Sequence, residues 1–101
     1  QAWVNFNGTG TVAIIDRHNV SSITDYAMGY YGVSFANSMA NSNYSVSGSN
    51  VGSTTSWSTT TTFTNGDNIA KTTAHFRCVM WDIYNGSKID MSSVNAIVFG
   101  D

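Results

Sequence analysis

The sequence predicts one all-β domain over residues 1–101, an antiparallel β-sandwich of about 7–8 strands. Three observations carry this expectation. The chain has no Leu and no Glu, both strong helix formers, while Val, Ile, Thr, Tyr, Phe and Trp are plentiful. Apolar and polar residues alternate over short runs, and no useful stretch keeps a 3.6-residue period. Turn signals recur about every 8–12 residues. Asn and Gly supply them, because the chain contains no Pro.

Each element follows from its local pattern. Ala2, Val4 and Phe6 share one face of a first strand, with Trp3 and Asn5 on the other. Thr11–Ile15 places Val12 and Ile14 together. Between them lies "NGTG", and Asn-Gly between apolar runs is a strong hairpin signal. Gly8 and Gly10 are therefore expected to serve turn geometry, with Gly8 at positive φ. Val20–Ile23 reads as a brief strand, and Asp25–Gly29 as a loop closed by Gly29. Tyr31, Val33 and Phe35 alternate with Tyr30, Gly32 and Ser34, a third clear strand. "NSMANSN" is a polar loop around Met39, and Tyr44 and Val46 begin the next strand.

The Gly/Ser/Thr-rich stretch 47–56 reads as a long loop. Trp57, Thr59, Thr61 and Phe63 then alternate with hydroxyl residues, a strand with one wet face. Gly66 and Gly86 mark two further Asn-Gly turns. Between them, Thr73–Ile83 is the longest candidate strand. It sets Ala74, Phe76, Cys78 and Met80 against His75, Arg77, Val79 and Trp81. Val94–Phe99 closes the domain. Trp3, Trp57 and Trp81 are read as core anchors, Trp81 above all.

Composition narrows function. Net charge is −2 with no basic cluster, which argues against nucleic-acid binding. No apolar run is long enough to span a membrane as a helix. The first residue is not Met, as expected of a processed protein or an excised domain. The single cysteine, Cys78, allows no internal disulfide.

Gly8-Thr9-Gly10 lacks the third glycine and the helix of a dinucleotide fingerprint. Asp16, His18 and Asp25, or His75, Cys78 and Asp82, could supply metal-binding atoms. Neither set has a recognised ligand spacing, so no metal and no cofactor are expected. No nucleophile elbow occurs, and the carboxylates are scattered near turns. The reading is non-enzymatic. Aromatic residues at or beside turns are the better candidates for ligand binding: Tyr26, Tyr30, Trp57 and Tyr84. Their faces stack on sugars or fill partner pockets while a polar tip stays in water.

Several motifs occur in a fixed order: "AWVNFNGTGTVAI", "NVSSITD", "YGVSFANSMANSNYSV" and a terminal "AIVFGD". This series resembles a C-terminal domain of bacteriophage tail-fibre and related virion proteins of marine and cyanobacterial phages. Trp3, Phe6, Gly8, Gly10 and Val12 carry the first part, Asn19–Asp25 the second, and Tyr31, Val33, Phe35, Met39, Asn43 and Tyr44 the third. The likeness covers roughly residues 1–48 and 94–101, leaving 49–93 as the variable part. Met39-Ala40 departs from the Met-Pro frequent in such domains, and Tyr26-Ala27-Met28-Gly29 is a bulkier turn than usual.

The resemblance implies a virion structural protein at the particle surface, assembled in the host cytoplasm as a homotrimer beside other virion proteins. The expected function is a tail-fibre or spike tip that binds a host surface glycan or protein. The loops around 26–30, 49–56, 65–72 and 84–88 would form the contact. The alternative is a capsid-decoration protein that clamps neighbouring subunits, favoured by the absence of a fibre-shaft sequence.

Overall fold

A computed structural model describes residues 1–53, 61–65, 70–82 and 86–100. Nine strands lie among them and no helix. The strands are β1 (Ala2–Asn7), β2 (Ala13–His18), β3 (Val20–Ala27), β4 (Tyr30–Phe35), β5 (Ser45–Ser53), β6 (Thr61–Asn65), β7 (His75–Asp82), β8 (Ser87–Lys88) and β9 (Met91–Phe99). Sheet 1 has the order β2-β1-β9-β5. Sheet 2 has the order β3-β4-β7-β6, with the two-residue β8 also paired to β7. Every pairing is antiparallel.

The alternation read from the sequence builds the core. Ala2, Val4 and Phe6 of β1 and Val94, Ala96 and Val98 of β9 face inward from sheet 1. Tyr31, Val33 and Phe35 of β4 and Phe76, Cys78 and Met80 of β7 meet them from sheet 2. Rings interlock at the contact: Phe6 is edge-on to Tyr31 at 5.2 Å, and Phe35 to Tyr44 at 5.4 Å. Such geometry suits the ring quadrupoles as well as burying area. Phe63 of β6 packs against Gly48 of β5, where a side chain on the glycine would strike the ring.

Four local expectations are corrected. The β1–β2 hairpin forms, but Gly8 does not have a positive φ; Gly10 does, at 59°. Asn7 holds the loop by accepting bonds from the Thr9 amide at 2.9 Å and hydroxyl at 2.7 Å. Second, β3 runs on to Ala27, so Asp25–Ala27 is strand and the turn is only Met28-Gly29. Third, residues 47–53 are not loop. β5 pairs with β9 from Ser45 to Ser53, and small hydroxyl residues form its ladder because the backbone supplies the bonds. Fourth, neither Trp3 nor Trp81 is a core anchor: Trp3 is exposed on the outward face of β1, and Trp81 stands outside the core cluster on the outward face of β7.

Two joints orient the sheets. The chain crosses from β2 to β3 through Asn19 alone, at φ 54°. Its side chain accepts from the Asn37 amide at 2.7 Å and donates to the Asn37 carbonyl at 3.1 Å. Asn suits this left-handed position because its short amide bonds locally. At the opposite end, the Asp90 carboxylate accepts from the Gly29 amide at 2.7 Å. The Tyr31 hydroxyl lies 2.7 Å from both that carboxylate and the Gly8 carbonyl, so one proton serves two acceptors.

Burial shifts three acidic groups in one direction. It pushes the Cys78 thiol from 9.0 up to about 12, and the Tyr44 hydroxyl from 10.0 to about 12. The Tyr31 hydroxyl is raised further, by burial and then by Asp90. Folding holds each proton more tightly than the unfolded chain does. The unfolded chain therefore binds fewer protons above pH 9, and stability falls as pH rises from there through about 12. The urea midpoint at about pH 10.5 is expected below that at pH 7. Equal midpoints would contradict the burial of these groups.

Candidate aromatic and cationic site

The outward face of sheet 2 gathers the chemistry that the sequence scatters. Its first component is a β-bulge. Asp25 pairs with Tyr31 and Ala27 with Tyr30, so Tyr26 is the extra residue on β3. A bulge bends its strand and re-aims the side chain it carries. Here the Tyr26 ring lies across Gly32 of β4, where a Cβ would come within 2.7 Å of the ring. Tyr26 remains 45% exposed. Tyr30, the first residue of β4 just past the turn of the same hairpin, brings its ring within 5.3 Å of Tyr26.

Arg77 of β7 is paired with Gly32 and fits beneath these rings. Its guanidinium carbon stands 4.2 Å from the Tyr26 ring centre and 5.7 Å from that of Tyr30. Nη1 donates to the Tyr30 hydroxyl at 2.8 Å, and this bond raises the pKa of Arg77 still further. Nε is buried without a hydrogen-bond partner among the described residues. Two residues along, Val79 faces the same way and is only 1% exposed. It is the apolar floor of this outer layer, with Tyr30 and Thr64 paired on either side.

Trp81 continues the row, and β8 sets Lys88 directly beside it. The Lys88 ammonium lies 5.5 Å from the Trp81 ring and 5.4 Å from Tyr30. Each cation thus sits over aromatic faces, an arrangement worth about 0.5–2 kcal/mol per pair. Three aromatic residues and two of the chain's four Lys and Arg residues form one continuous half-exposed surface.

Of the residues expected from sequence, Tyr26 and Tyr30 come together here. Trp57, Tyr84 and Gly66 lie outside the described residues. Gly29 and Gly86 both take φ 68° at turns, as a turn role requires. Sequence reasoning missed Arg77, Lys88 and Gly32, and placed Trp81 in the core. The signal was present in the alternation Arg77-x-Val79-x-Trp81 opposite Tyr30-x-Gly32. That face mixes charge with aromatic surface, which a core face does not.

The metal-ligand candidates fall apart. Asp16 and His18 stand on β2 in sheet 1, and Asp25 on β3 in sheet 2. His75 faces outward on β7 while Cys78 and Asp82 are buried on its other side. Among the described residues, no three His, Cys, Asp or Glu group together.

Comparison with known protein families, curated proteins and solved structures finds no match to this chain.

A different surface covers sheet 1. Trp3, Ile97 and Phe99, which are 40%, 44% and 60% exposed, form an apolar ridge on its outward face. Trp3 and Ile97 are direct cross-strand partners. Grooves run along both sides, one lined by Ser47, Ser49 and Asn95, the other by His18 and Phe99.

Proposed function

We propose that this domain is a non-enzymatic recognition module of a phage particle, a tail-fibre or spike tip that binds a host surface glycan through the outward face of sheet 2. The convergence of Tyr26, Tyr30, Trp81, Arg77 and Lys88 carries this reading. Sugar rings present C–H faces that stack on aromatic planes, while phenol and guanidinium groups bond their hydroxyls. Paired strands and the Gly32 cradle hold the surface, so little ordering entropy is lost on binding. The virion setting is proposed from the resemblance of the ordered motifs to phage fibre domains. A homotrimer would multiply weak single contacts by avidity. Tyr26→Ala should weaken binding to host cell-surface polysaccharide by about tenfold or more, with the melting temperature nearly unchanged. Undiminished binding would remove the site from consideration.

The ridge of Trp3, Ile97 and Phe99 favours a second reading, in which the domain clamps neighbouring virion subunits. Exposed apolar patches of this kind mark protein contacts. On that reading Ile97→Lys lowers the oligomeric mass measured by light scattering. A wild-type protein that is monomeric at high concentration would exclude self-association through this ridge.

A further inference from the structure

We infer that the ligand of the sheet 2 face is an anionic saccharide, whose carboxylate or sulfate group pairs with Arg77; this rests on the glycan-binding reading above. The chain as a whole is acidic, with six Asp against four Lys and Arg. A neutral or anionic ligand would meet no general attraction from it. The face of sheet 2 reverses that balance locally.

The described carboxylates are directed elsewhere. Asp16 belongs to sheet 1. Asp25 pairs with Tyr31 and acts on that buried hydroxyl. Asp82 is buried on the core side of β7, and Asp90 is bonded to Gly29 and Tyr31. Arg77 therefore has no carboxylate contact among the described residues. Its charge rests on the two tyrosines, and its Nε–H has no acceptor among the described residues.

A guanidinium set beneath two neighbouring rings and bonded to one phenol oxygen keeps its planar fork in one orientation. That fork matches the paired oxygens of a carboxylate or a sulfate. Lys88 adds a second positive charge across the Tyr30 ring. The aromatic planes would take the sugar ring, and the cations its acidic substituent. Aromatic surface with no cation suits neutral sugars equally well; the cations are what add a charge preference.

The test uses one sugar backbone in three forms: dextran, carboxymethyl-dextran and dextran sulfate, each immobilised and probed with the intact domain. Binding to at least one charged form should exceed dextran by about tenfold, and should weaken as salt rises from about 50 to about 500 mM. The two charged forms separate carboxylate from sulfate recognition. Arg77→Gln should remove the margin of the charged forms over dextran, lowering charged binding by about tenfold and dextran binding by much less. Lys88→Gln gives an independent check should Arg77→Gln lower the melting temperature, and should weaken charged binding in part. Equal, Tyr26-dependent binding to all three forms would overturn the charge preference and leave glycan binding standing. Charged binding that survives both substitutions would overturn the assignment to this face. Binding to none of the three would count against both readings.

Discussion

Gly8→Val is expected to lower the melting temperature by at least about 12 °C, from a loss of about 3 kcal/mol. A Cβ at Gly8 would stand 2.4 Å from the Tyr31 hydroxyl oxygen and 3.0 Å from the Met91 carbonyl. Neither can yield. Tyr31 is fully buried and edge-packed on Phe6, and the Met91 carbonyl already accepts from the Gly8 amide at 2.8 Å. Moving the ring would also strand the Gly8 carbonyl and the Asp90 carboxylate, each bonded to the hydroxyl. Leaving a buried acceptor unpaired costs about 1–3 kcal/mol. Gly10→Asn is the matched control. Its φ is 59°, which Asn tolerates, and nothing lies within 4 Å of a new Cβ. Thermal melts of the two variants check the assignment; equal losses would refute it.

Gly32→Val should act in the opposite manner, leaving the fold and removing the site. The new side chain would meet the Tyr26 ring at 2.7 Å, and that ring is the outer end of a half-exposed residue able to swing away. Val also suits a strand better than Gly does, so stability should stay within about 1 kcal/mol. The displaced ring would uncover Arg77 and break the aromatic surface. Polysaccharide binding should fall about tenfold or more, as for Tyr26→Ala, although no residue of the contact has been changed. Retained affinity would show that the Gly32 cradle does not organise the face.

The sequence made the strands legible wherever side chains alternate in polarity. Ala2-x-Val4-x-Phe6 and Tyr31-x-Val33-x-Phe35 are core faces on inspection, because burial on one side of a pleat forces that period. β5 was legible at its start, around Val46, but its continuation was not, for the converse reason. Ser47, Gly48 and Ser49 are small residues with little periodic signal, and their strand exists because β9 offers it a backbone ladder. Long-range pairing of this sort leaves no local mark.

Gly8 shows a subtler failure. Its need for glycine was legible, but the cause was taken as a turn when it is the approach of Tyr31 from the other sheet. The site divides in the same way. Tyr26 and Tyr30 were legible as polar-tipped aromatics beside a turn. Arg77 and Lys88 were not, because cross-strand register and a two-residue strand bring them to the tyrosines. Trp81 was misplaced because a large apolar residue in a long strand is usually core, and only its parity with Arg77 told otherwise.

The position of β9 has a consequence for how the chain acquires its structure. It is the last of these strands in sequence, yet it lies between β1 and β5. Ala2 pairs with Val98 and Phe6 with Val94, so the first of these strands to be synthesised waits for the last of them. The β3–β4 hairpin can close at once, whereas sheet 1 cannot complete until nearly all of the domain has left the ribosome. Contacts so distant in sequence make folding slow. Through that interval the apolar face of β1 has no central partner, and the nascent chain is open to mispairing with its neighbours.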